Sequence, residues 1–192
     1  MLCGMHVEQV YPTLYIYSYC MKHIVRKLFF FLLLFCNLTV FGKERYHMRI
    51  LPDGKMYFFM PCKLKGSSGA QLQYDMTLIS YRDSVSINMT LTSSIGRVER
   101  ISLLTPEVSY STQQYELFYQ ERNGARFNTR VHIDCPMAIY RKLFTGLHPI
   151  TIKLLMDDGK QYAFVYKAKN WKKEASYVFE VLEMIAYSNS RK

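Results

Sequence analysis

Ser84-Val85-Ser86-Ile87-Asn88-Met89-Thr90-Leu91-Thr92 alternates without a break, with Val85, Ile87, Met89 and Leu91 on one side and hydroxyl or amide side chains on the other. Successive side chains of an extended chain point to opposite faces, so this run predicts a strand that is apolar on one face and polar on the other. A second run repeats the pattern: Phe127, Thr129, Val131, Ile133 and Cys135 alternate with Arg126, Asn128, Arg130, His132 and Asp134. Weaker versions cover Leu72 to Tyr81, Val98 to Leu104, Tyr115 to Gln120, Ile150 to Met156 and Gln161 to Lys167.

Working outward from these strands, Asp53-Gly54, Asn123-Gly124 and Asp158-Gly159 each stand between two extended runs. Such dipeptides tolerate the positive φ of tight hairpin turns. They predict antiparallel hairpins that join Met48–Ile50 to Met56–Met60, Tyr115–Gln120 to Arg126–Ile133, and Ile150–Met156 to Gln161–Lys167. Two segments break the strand period. Pro136 suits a first helical residue and Gly146 a helix stop, with Met137, Tyr140, Leu143 and Phe144 on one face between them. Asn170 can cap a second helix, near 170 to 188, whose stripe is Trp171, Ala175, Val178, Leu182 and Ile185, with Phe179 and Ala186 beside it. Lys63 to Gln71 and Thr105 to Gln114 read as loops.

The expected fold is therefore mostly β, of the α+β kind: an antiparallel β-sandwich or half-barrel with one short helix and a C-terminal amphipathic helix. A composition that is 49% hydrophobic and 15% aromatic supports a packed core.

Upstream of this domain, Met21 to Gly42 has the layout of a secretory signal peptide. Lys22, His23, Arg26 and Lys27 form a basic start, Leu28 to Cys36 an apolar core, and Val40 and Gly42 suit a cleavage site. Residues 1–20 lack a strand or helix period, place Glu8 ahead of the basic start, and read as an overcalled start. Residues 43–192, about 150 in all, then make a single β-rich domain. Leu28–Gly42 is shorter than the roughly 20 residues of a membrane-spanning helix. This argues against a retained anchor, and Phe35 argues against a lipid on Cys36. The expected location is outside the cytosol, in the periplasm, the cell envelope or the extracellular space. There Cys62 and Cys135 could close one disulfide, worth about 4 kcal/mol in the chain-entropy model, or remain buried thiols.

The formal charge of +10 can favour acidic partners. The cations are nevertheless spread along the chain without a nucleic-acid motif, so no nucleic-acid role is expected. His47, His132 and His148 lack metal-ligand spacing, and no phosphate-loop or dinucleotide fingerprint is present, so neither metal nor cofactor is expected. Gly66-Ser67-Ser68-Gly69 lacks the spacing of a nucleophile elbow. Asp157 and Asp158 suit a hairpin tip. His132 and Cys135, three apart on one strand, should face opposite ways. Asn37 and Asn88 match the N-glycosylation acceptor pattern, but Asn88 falls mid-strand.

The strongest binding signal is a hairpin in which Tyr110, Tyr115, Phe118 and Tyr119 run into Arg122, Arg126 and Arg130. Rings and guanidinium groups together can stack sugars or peptides and hold anions; cross-strand aromatic pairing within the sheet is the competing explanation. Tyr115, Tyr119, Arg126 and Arg130 are the candidate binding residues. The leading expectation is an exported, non-enzymatic binding protein for a peptide, protein or glycan. Two alternatives stay open. One is a small hydrolase pairing Ser67 or Ser68 with His132 or His148; the other is an assembly protein acting through an exposed sheet edge.

Overall fold

A computed structural model describes residues 45–66, 69–94 and 96–190. The expected signal peptide and overcalled start lie outside the described residues, as do Ser67 and Ser68. The domain that begins at Arg45 has its own core.

Its strands are β1 (Tyr46–Leu51), β2 (Gly54–Lys65), β3 (Gln71–Ile79), β4 (Ser84–Ser93), β5 (Val98–Leu104), β6 (Ser109–Thr112), β7 (Glu116–Asn123), β8 (Arg126–Pro136), β9 (Thr151–Met156) and β10 (Gln161–Val165). Helix α1 (Met137–Phe144) follows β8, and α2 (Ala168–Asn189) follows β10. One antiparallel sheet has the order β1-β2-β3-β4-β8-β7 and the other β10-β9-β5-β6. The mostly β architecture with a short and a C-terminal helix is the one the alternation predicts, and the strands divide into two separate sheets. Among the described residues a single bridge, Gly66 to Phe164, links β2's end to β10. A side chain at Gly66 would run into the Phe164 ring, so close approach of the two sheets requires glycine there.

The alternating runs become the centre of the large sheet. Val85, Ile87, Met89 and Leu91 are buried and pair in register with Cys135, Ile133, Val131 and Thr129 of β8. On the other side they meet Leu78, Met76, Tyr74 and Leu72 of β3. Ile101, Leu103, Ile152, Leu154, Met156, Tyr162 and Phe164 bring the small sheet's apolar face into the same core. The helices contribute Tyr140, Leu143 and Phe144 from α1, and Trp171, Val178, Val181, Leu182 and Ile185 from α2. Fully burying a large apolar side chain contributes about 1.5–3 kcal/mol, so this shared interior dominates the stability.

All three hairpins form, with local differences at their turns. The β1–β2 loop is Pro52-Asp53, and Gly54 already pairs with Leu51. The β7–β8 pairing closes at Asn123 and Arg126, so Gly124, at φ +63°, takes the left-handed position. The expected loop from Lys63 is strand through Lys65. Pro61 survives within β2 because β1 pairing ends at Phe59 and the β3 ladder has a bulge between Phe59 and Cys62, so no donor is required of it. The second expected loop contains β6, whose four residues are too short to show a period.

Helix entry differs as well. Pro136, with ψ 133°, caps α1 instead of entering it, and Lys167 instead of Asn170 caps α2. Phe179 faces solvent, and its place in the packing is taken by Val181 and by Glu174, a carboxylate no apolar stripe would include. Arg45 holds Glu174 in a fork, Nε to Oε2 at 2.8 Å and Nη2 to Oε1 at 2.9 Å. Two charge-assisted bonds make this buried carboxylate tolerable and fasten α2 to the start of β1.

Cys62 and Cys135 are free thiols, so of the two alternatives the sequence left open the bridge is not the one formed. They stand on β2 and β8, with β3 and β4 between. Three strand spacings of about 4.8 Å give roughly 14 Å, far beyond the ~7 Å limit for a disulfide. Burial pushes the Cys135 thiol up to about 12.

Candidate functional site

The polar face of the large sheet points away from the core and is organised around a buried acid. Asp75 is only 3% exposed. Its Oδ2 accepts from Arg130 Nη2 at 2.8 Å, and its Oδ1 accepts from Asn88 Nδ2 at 2.7 Å. Arg130 also donates Nη1 to Thr90 Oγ1 at 2.9 Å. Because the Asn88 amide nitrogen is committed to Asp75, its oxygen accepts from His132 Nδ1 at 3.0 Å. That places the His132 proton on Nδ1 and turns Nε2 toward Asp134 Oδ2, 3.7 Å away. Ser86 Oγ donates to Asp134 at 3.1 Å and Thr92 Oγ1 to Asn128 at 2.8 Å, which extends the network along β4 and β8.

Strand pairing explains the convergence. Asp75, Asn88, His132 and Glu116 occupy one transverse row across β3, β4, β8 and β7. Side chains in such a row stand about 5 Å apart, within reach of short planar groups. Thr90, Arg130 and Tyr119 occupy the next row.

At the sheet's edge, β7 has a bulge between Leu117 and Tyr119. Phe118 is the additional residue, and it interrupts the alternation. Its ring stacks on His132, centroids 5.7 Å apart and 7° from parallel, while Tyr119 stands opposite Arg130. Two consecutive rings are thus offered on one face, Phe118 47% and Tyr119 38% exposed.

The sequence-derived binding set is divided by this geometry. Tyr119 and Arg130 come together. Arg126 lies on the same face but four residues along β8, about 13 Å away, where Nη1 donates to Gly69 O at 3.3 Å. Tyr115 donates its hydroxyl to Val98 O of β5, on the opposite side of the large sheet. Tyr110 likewise donates to backbone, the Asp134 carbonyl at 3.0 Å, and Arg122 folds back on Gly124 O at 3.1 Å.

Asp75 was not singled out from the sequence at all, and Asn88 and His132 were considered for other roles but not as part of a binding face. The usable signal was Asn88 and His132 on the polar sides of the two clearest strands. Asp75 carried a fainter one, a carboxylate flanked by Tyr74 and Met76. On the other candidates, Cys135 is buried while His132 lies on the outward face, and His148 Nε2 is 3.8 Å from Glu107. Among the described residues no cluster of metal-ligating side chains is present. No family model, curated protein or solved structure matches the chain.

Proposed function

We propose that the protein is an exported, non-enzymatic binding protein whose large sheet takes a partner on its outward face, with a glycan as the best-fitting class. The observation that carries this reading is the β7 bulge, which puts Phe118 and Tyr119 side by side above His132 and Arg130. Sugars are recognised by stacking their C–H faces on aromatic rings while planar amide, guanidinium and carboxylate groups hydrogen-bond the hydroxyls. Asn128, Arg130 and His132 supply planar groups of this kind beside the rings. Hydrogen bonds to Thr92, Thr90, Asp75 and Asn88 hold them in place before a ligand arrives, which lowers the entropy lost on binding. Export rests on the sequence of residues 21–42. Among the described residues no helix is long and apolar enough to cross a membrane.

A second reading is strand addition at β7, an edge strand exposed along its whole length, with Leu117 half-exposed. An oligosaccharide array probed with wild type, Phe118→Ala and Tyr119→Ala separates the two. The glycan reading expects a bound subset of sugars and about a tenfold weakening for each variant. Absence of any bound sugar, or equal binding by all three proteins, overturns it. Capture of extended peptides that survives both substitutions would move the assignment to the edge.

A further inference from the structure

The helices carry a second surface of different chemistry, on the opposite side of the large sheet. Arg141 and Lys142 occupy the last turn of α1. Lys167 caps α2, and Lys169, Lys172 and Lys173 follow in a first turn and a half whose opening turn holds no acidic residue. All are exposed. The two helix ends meet: Phe144 packs on Trp171, centroids 5.6 Å apart, and Trp171 Nε1 donates to Gly146 O at 3.4 Å. Trp171, Glu174 and Val178 face the core, so Lys169 and Lys173, four apart, share the outward face of α2. None of these cations has an ion-pair partner among the described residues. Glu174, the acid in the second turn of α2, is already engaged with Arg45.

At this junction Leu147, the residue after Gly146, is 93% exposed. A single exposed leucine is ordinary. A leucine held out beside unneutralised cations on two helix ends combines the requirements of an anionic bilayer, phosphate charge at the headgroups and hydrocarbon beneath them. We infer that this surface docks the domain on an anionic phospholipid membrane, with Leu147 entering the interface and the lysines contacting headgroup phosphates. The partner is a bilayer and not a soluble polyanion because a polyanion offers Leu147 nothing. Docked by its helices, the protein presents the bulged face of the large sheet away from the lipid.

The test is co-sedimentation of the full-length protein with vesicles of phosphatidylcholine alone or with 30% phosphatidylglycerol. Leu147→Asp and the triple variant Lys169→Glu, Lys172→Glu, Lys173→Glu are compared with wild type. All three share the same amino terminus, so any difference between them in binding the anionic vesicles belongs to the helix surface. The expected result is binding to the anionic vesicles that weakens with added salt, falls about a hundredfold in the triple variant and about tenfold in Leu147→Asp. Both variants change exposed positions and should keep the wild-type melting temperature. Equal binding to both vesicle types, or anionic binding untouched by either variant, overturns the proposal. So does retention on heparin without retention on vesicles.

Discussion

The two faces of the large sheet handle polar groups in opposite ways. Outward, Asp75, Asn88, Thr90, Arg130 and His132 are cross-linked by hydrogen bonds although part of that face is open to solvent. Inward, where water is excluded, the hydroxyls of Tyr57 and Tyr74 are buried without a hydrogen-bond partner among the described residues, and Tyr166 packs edge-on against Tyr74. The difference follows from reach. Short planar groups on neighbouring strands meet each other across about 5 Å, whereas Tyr57 and Tyr74 carry their oxygens past their neighbours into the apolar layer above. The outward face therefore behaves as a rigid platform, and the inward face contributes burial at some cost in unmet hydrogen bonds.

The largest effect that would sharpen this contrast is alkaline. Burial holds the Cys135 thiol up at about 12 against an ordinary value of 9.0, and it raises Tyr140 and Tyr166 above their ordinary range. Above pH 9 the folded protein keeps protons that the unfolded chain has released, so stability falls as pH rises. The slope is about 1.4 kcal/mol per pH unit for each such group. Denaturant midpoints at pH 7, 9 and 10.5 should fall in that order, and Cys135→Ala should flatten the first part of the decline. A level profile would show that the inward face is wetter than its burial indicates.

Next in size is the outward network. Asp75→Ala leaves Arg130 and Asn88 without their shared acceptor and should cost about 3 kcal/mol in urea unfolding. Replacing both charges, Asp75→Leu with Arg130→Met, should recover most of that loss, because no stranded charge remains. A single variant as stable as wild type would break the view of Asp75 as the platform's anchor. The smallest effect is inward: Tyr74→Phe removes an unpartnered hydroxyl and should leave stability unchanged or raise it by up to about 1 kcal/mol. A clear loss would reveal a partner for that oxygen.

The strand pairs were legible because their period is two and their apolar face is uniform. Val85 to Leu91 and Phe127 to Cys135 needed no tertiary information. β6 was not legible, since four residues with Tyr110 as the one large side chain establish no period. The burial of Glu174 was not legible, because only the distant Arg45 makes a carboxylate acceptable there. The candidate site was half legible. Tyr119 and Arg130 could be proposed from the hairpin, but Tyr115 departs because alternation at an edge strand does not say which sheet its hydroxyl will reach. The pairing of Asp75 with Arg130 depends on β8 lying beside β4, which no local pattern encodes.

That placement of β8 also sets an order of assembly. Its partner β4 ends at Ser93, and the chain builds β5, β6 and β7 before Arg126 opens the strand that seals β4's open side. Pairings this distant along the chain slow folding. Until residues through Pro136 have arrived, β4 keeps one unpaired edge. A nascent or partly threaded chain would present that edge to chaperones, or to other copies of itself, before it could present any finished surface.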